Sequence, residues 1–134
     1  MPTREGATVE IIISNSSDQP IYEQVYSQIR DQIMSGDLKE GERLPSIRAL
    51  AAQLRISAIT TKRAYSDLEA QGLVHTVPGK GCFVASENVE LLREERLRMV
   101  ERSLARAVAD ARIANISADE LREMLELQLE DEER

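Results

Sequence analysis

Residues 44–84 constrain this chain more than any other stretch. Ser46, with Pro45 just before it to fix the approach, is a natural N-cap for a helix of about ten residues. Ile47, Leu50, Ala51 and Leu54 recur at three- and four-residue spacing and give that helix one apolar side. Ile56-Ser57 closes a turn, and Ser57 is placed to cap the next helix. There Thr61, Ala64, Tyr65 and Leu68 form the inward stripe, and Gly72 stops it. The opposite face, near the helix N-terminus, carries Ile59, Thr60, Lys62 and Arg63. Residues 74–77, 78–81 and 82–84 then read as strand, turn and strand, with Gly79 and Lys80 at the tip. The pattern is a helix-turn-helix followed by a two-stranded wing. Short polar and cationic side chains at the start of a helix, held outward by a buried stripe, suit a DNA major groove.

The flanks divide around this stretch. Residues 9–13 are a short β-branched run that reads as an edge strand too short to stand alone. Residues 15–19 read as a turn, and Pro20 fits the first turn of a helix capped by Asp18 or Gln19. Ile21, Val25, Ile29 and Ile33 supply that helix's buried seam, and Gly36 ends it. Residues 37–43, with alternating charge and glycine, read as a loop. The first helix then completes a three-helix core. After the wing, residues 89–113 contain no Gly or Pro and are rich in Arg, Glu, Ala and Leu, so they predict a long helix. Leu97, Val100, Leu104, Ala107, Val108 and Ala111 step along it as a coiled-coil-like seam. Asn115 suits a left-handed stop, and Ser117 with Glu120 makes a capping box. Leu121, Met124, Leu125 and Gln128 face one way on a last helix, with residues 130–134 fraying.

The net charge of −7 argues against a nucleic-acid partner until it is divided along the chain. Residues 1–19, 20–85 and 86–134 carry −2, +1 and −6. Within residues 43–80, six basic side chains face only Asp67 and Glu69, giving +4. The acid lies in the tail and the base where DNA would lie. An aromatic content of 3% with no Trp argues against an aromatic-lined ligand pocket. No apolar run approaches a membrane span and no secretory signal opens the chain, so no membrane partner is expected. The single Cys82 rules out an internal disulfide and points to the cytoplasm. His75 and Cys82 are the only residues of their kind and read as plain strand residues, so neither metal nor cofactor is expected. No nucleophile–base pair, phosphate loop or carboxylate constellation supports an enzyme.

The order of Leu44-Pro45-Ser46, Arg48, Leu50-Ala51, Leu54, Thr60, Ala64, Leu68, Gly72-Leu73-Val74, Gly79, Gly81 and Phe83-Val84 resembles the winged-helix domain of the GntR family of bacterial transcription regulators. LPSIR in place of the commoner LPSER, the Ala64-Tyr65 pair and the short tail resemble its YtrA-type branch. The resemblance implies that Arg48 enters the groove and bonds a guanine, a pairing its fork geometry allows. It implies contact at Thr60 and Lys62, with Lys62 on phosphate. Arg63 either joins them or lies along its helix to Asp67. Gly79 and Lys80 suit a minor-groove or backbone approach. Two departures stand out: Arg55 where a turn glycine is usual, and Ala58 where many members carry a base-reading arginine. Relatives usually carry a large ligand-binding domain after the wing, whereas only about fifty residues remain here. An effector, if there is one, must therefore sit between subunits.

The expected architecture is mainly α with a small β-hairpin wing. An N-terminal extension (1–19) precedes a winged helix-turn-helix DNA-binding domain (20–86) and a two-helix dimerisation hairpin (87–134). The hairpin cannot bury its stripe alone, so its partner is a second copy joined through Leu97, Val100, Leu104, Val108, Leu121 and Leu125. The expected function is sequence-specific binding of double-stranded operator DNA by a homodimeric repressor through Arg48, Ser57, Ile59, Thr60, Lys62, Arg63, Gly79 and Lys80. The alternative is a winged-helix adaptor that docks a protein and reads no DNA.

Overall fold

The protein is described by a computed structural model covering residues 9–85 and 89–133. Five helices and a hairpin follow in order: α1 (Ile21–Ser35), α2 (Ile47–Leu54), α3 (Ala58–Ala70), β1 (Val74–Val77), β2 (Gly81–Val84), α4 (Val89–Ile113) and α5 (Ala118–Glu132). The chain forms two compact units, the first running through Arg93 and the second beginning at Glu94.

In the first unit α1 and α2 both pack on α3. Val25, Ile29, Leu50, Ala64, Leu68, Leu73, Val74 and Val84 meet in one buried core, as the helical spacing predicts. α2 is capped by Ser46, whose hydroxyl accepts the Ala49 N–H, but spans eight residues and not ten. Pro20 takes the N-cap position of α1 itself, with no side-chain cap from Asp18 or Gln19; its carbonyl accepts the N–H groups of Glu23 and Gln24. Val89 and Leu92 pack against the same core, and the Arg93 guanidinium donates twice to the Met34 carbonyl at 3.1 and 2.6 Å. That contact satisfies a last-turn carbonyl of α1 with a cation, the favourable sign at a helix C-terminus.

Residues 9–13 form no strand. Three glutamines at four-residue steps on α1 take the place of a neighbouring strand. Gln28 both accepts from the Ile12 N–H (2.9 Å) and donates to the Ile12 carbonyl (2.8 Å), while Gln32 donates to Glu10. Gln24, itself buried, accepts from the Ser14 N–H and donates to the carbonyls of Ser14 and Gln19. Each amide pairs a carbonyl acceptor with N–H donors, the two kinds of group a strand edge would supply. Val9, at the start of this segment, is buried in the core.

The segment expected as a loop over 37–43 also does more. Leu44 N–H donates to the Cys82 carbonyl, Val84 N–H to Glu42, and Gly41 N–H to Val84, with Arg43 bridging Phe83 antiparallel. The wing, an antiparallel β1–β2 pair matching Val74 with Val84 and Val77 with Gly81, therefore has a short third member.

In the second unit Ser117 caps α5 by accepting the Glu120 N–H, and α5 continues to Glu132 where fraying from 130 was expected; Arg134 lies outside the described residues. α2, α3 and α4 end alike. Arg55, Gly72 and Asn115 are left-handed, and the next residue's N–H returns five residues, Ile56 to Ala51, Leu73 to Leu68 and Ile116 to Ala111. This is the Schellman arrangement, with an apolar residue following the left-handed one.

Candidate nucleic-acid interface

Ser57 organises the start of α3. Its hydroxyl accepts the Thr60 N–H at 3.0 Å and donates to Thr60 Oγ1 at 2.8 Å, while Thr61, fully buried, donates to the Ser57 carbonyl. These bonds fix the first turn, so the side chains of Ile59, Lys62 and Arg63 leave it on the exposed face. α2 is held against α3 by Tyr65, whose buried hydroxyl donates to the Pro45 carbonyl at 2.7 Å. That bond ties the approach to α2, and with it Arg48, to the middle of α3.

An open cleft of about 560 Å³ lies between α2, α3 and the wing, bordered by Arg43, Arg48, Lys62, Ser66, Glu69 and Gly81. Arg48 from α2 and Lys62 from α3 thus share one cleft. Arg43 was not among the expected contact residues, although its charge belonged to the basic stretch. It reaches the cleft because Gly81, at φ +123°, has no side chain; a Cβ there would lie 2.8 Å from Arg43 Nε. Glu69 is engaged on the wing, accepting from the Thr76 hydroxyl at 2.7 Å.

Arg63 is turned away from the expected pairing with Asp67 along its own helix. Its guanidinium stacks over the Tyr22 ring of α1, 3.7 Å from the centroid, and borders a separate depression with Tyr26, Arg30 and Asp67. A cation over an aromatic face is favourable where partly shielded from water. At the wing tip Lys80 N–H donates to the Val77 carbonyl across Pro78 and Gly79, the latter at φ +76°. Proline followed by left-handed glycine is the arrangement of a type II turn, and it leaves the Lys80 side chain exposed.

Cys82, a residue of β2, is buried in the core. Burial pushes its thiol up from the ordinary 9.0, a hydrogen bond with Thr76 partly offsets this, and the Glu69 carboxylate adds to the rise. It is a packed, protonated thiol and not a reactive one.

The second unit has a different character. A groove of about 640 Å³ runs between α4 and α5, lined by Leu104, Val108, Ala111, Leu121, Met124 and Leu125. Leu97, Val100, Leu104 and Leu125 are 58, 53, 48 and 46% exposed, and Val108 is also exposed. No helix among the described residues is long and apolar enough to cross a membrane.

A capped reading helix, a cationic cleft shared with α2 and a lysine-tipped wing define a winged helix-turn-helix DNA-binding protein. Residues 21–84 match the family described as bacterial regulatory proteins, gntR family. The repressor YtrA of Bacillus subtilis is 31% identical over 115 residues, covering 86% of this chain and 88% of that protein. The structure of YtrA from Sulfolobus acidocaldarius, a GntR-family transcription factor, is 36% identical with a TM-score of 0.55, covering 73% of this chain and 99% of that one. The DNA-binding domain of AraR, solved in complex with its operator ORX1, is 30% identical with a TM-score of 0.52, covering 59% of this chain and 99% of that one. The chain belongs to the GntR family and is a DNA-binding transcription regulator of the YtrA type.

Proposed function

We propose that the protein is a cytoplasmic, non-enzymatic repressor that works as a homodimer, each winged unit reading half of an inverted-repeat operator. Arg48 reads a base edge, Lys62 and Lys80 hold phosphates, Gly79 lets the wing approach the duplex, and Ser57, Ile59, Thr60 and Arg63 complete the contact face. The observation that carries the homodimer is the apolar seam of the second unit. Five of its six residues remain exposed on a lone chain, and Leu121 is half-buried. Full burial of such a side chain stabilises by roughly 1.5–3 kcal/mol, and about half of that remains to be gained at each position. The acidic surface around the seam disfavours DNA there, and a second hairpin of the same shape is the partner that matches it. The repressor assignment follows the B. subtilis relative's name. An effector, if one exists, binds between the hairpins.

Leu104→Glu tests this directly, since it sets a charge in the seam at a cost of several kcal/mol on association. In sedimentation the variant runs as a monomer, and it loses operator affinity because two half-sites need linked readers. An intact dimer would place the interface elsewhere.

A further inference from the structure

The reading end of α3 carries an exposed apolar group. Ile59, second residue of the helix, is 83% exposed, while Thr61, Ala64, Tyr65 and Leu68 on the inward stripe are buried. Among the described residues of the first unit, only Ile12 leaves a large apolar side chain comparably open, at 81%. Helix propensity does not account for Ile59, because a β-branched residue in an exposed first turn is slightly unfavourable. The nearby hydroxyls of Ser57 and Thr61 are engaged by the helix's own first turn, and the hydroxyl of Thr60 accepts from Ser57. Ala58, also exposed, adds a methyl beside Ile59. The tip of α3 is thus an apolar head, with Lys62 and Arg63 one turn behind it.

Base edges in a major groove are hydrogen-bond donors and acceptors, with one apolar exception, the C5-methyl of a pyrimidine. An isoleucine pressed against any other edge would strip water from polar atoms without replacing the lost bonds. A methylated pyrimidine offers matching apolar surface and leaves nothing unpaired. Resting on the DNA-binding role of α3, we propose that Ile59 is a specificity-determining residue that reads a pyrimidine C5-methyl group by apolar contact. Thymine and 5-methylcytosine both carry that group in the groove.

The test uses the full-length protein and random-sequence duplexes. Wild type selects a site with thymine at one position per half-site, and Ile59→Ser loses preference at that position alone. Replacing that thymine by uracil removes only the methyl. Wild type then binds roughly three- to fivefold more weakly, the factor for one buried methyl group. Ile59→Ser binds the thymine and uracil duplexes alike, Ile59→Val retains the discrimination, and circular dichroism checks that both variants are folded. Cytosine and 5-methylcytosine at the same position separate the sources. A gain on 5-methylcytosine assigns recognition to the methyl whichever base bears it, and a gain confined to thymine assigns it to that base. If wild type binds thymine and uracil duplexes equally at every thymine of the selected site, the inference is overturned. If no duplex is selected at all, the DNA-reading role itself fails.

Discussion

At the scale of a residue, two cations on the interface are expected to work differently. Arg48 lies in the cleft between α2 and α3, where a planar fork can bond a guanine edge, whereas Lys80 stands exposed at the wing tip as a point charge. Arg48→Ala should therefore cost about 1–3 kcal/mol and flatten preference at one base position, while Lys80→Ala weakens all sequences alike. Quantitative binding to a panel of single-base operator variants distinguishes them; an unchanged ranking in Arg48→Ala would make Arg48 a phosphate contact. Arg63 shows the limit of reading along one helix. Asp67, four residues on, is its natural partner by spacing, but the Tyr22 ring belongs to α1 and enters only through packing.

Tyr65 and Cys82 set a second expectation at this scale. Burial raises both side chains above their ordinary values of 10.0 and 9.0, with Cys82 adding to the rise at Tyr65. The folded protein keeps these protons while the unfolded chain gives them up. Their contribution is whole below about pH 9 and is lost as pH rises beyond it. Melting temperature should fall as pH rises beyond about 9, with Cys82→Ala removing the earlier part of that fall. Tyr65→Phe should remove the later part, and at neutral pH it loses about 1 kcal/mol with the bond to Pro45.

At the scale of elements, the helices follow from periodic burial and from caps that are local in sequence. Ser46, Ser57 and Ser117 each accept the N–H three residues ahead, and each was legible beforehand. The helix ends were legible at Gly72 and Asn115, which favour left-handed backbone, but not at Arg55. There the turn between α2 and α3 keeps the shape a glycine would give, at φ 57° and ψ 45°, because the Ile56 N–H returns to Ala51 and Ile56 packs against the core. A side chain in that conformation costs about 1 kcal/mol, so Arg55→Gly should stabilise the protein by up to that amount in denaturant unfolding. A destabilised variant would show that the arginine holds the turn by a contact of its own. The third member of the wing escaped the sequence for another reason. Gly36, Gly41 and alternating charge mark residues 37–43 as loop, and the pairing that overrides this comes from β2, some forty residues away. Residues 9–13 failed in the opposite direction. Their β-branched run suggests a strand, but only a tertiary neighbour decides between a strand edge and a row of glutamine amides.

For the whole molecule, charge is the quantity that separates the parts. A net −7 hides a basic reading face and an acidic tail. A dimer placing Lys62 and Lys80 twice on phosphates would neutralise roughly four of them, so log K should fall against log salt with a slope near −4. Titrations at several salt concentrations measure it, and a flat line would favour protein docking over DNA. What the sequence determined by itself was the set of helices, their order, the wing and the unmatched apolar seam of the tail. Those depend on periodicity and on capping within a few residues, interactions whose partners are near in the chain. Only tertiary structure decided where Arg63 and Arg43 point, how residues 9–13 are held, that 42–44 joins the wing, and that the first unit runs on through Arg93. In each case the deciding partner is a ring, an amide, a carbonyl or an empty glycine position far away in sequence. Spacing rules carry no information about such a neighbour.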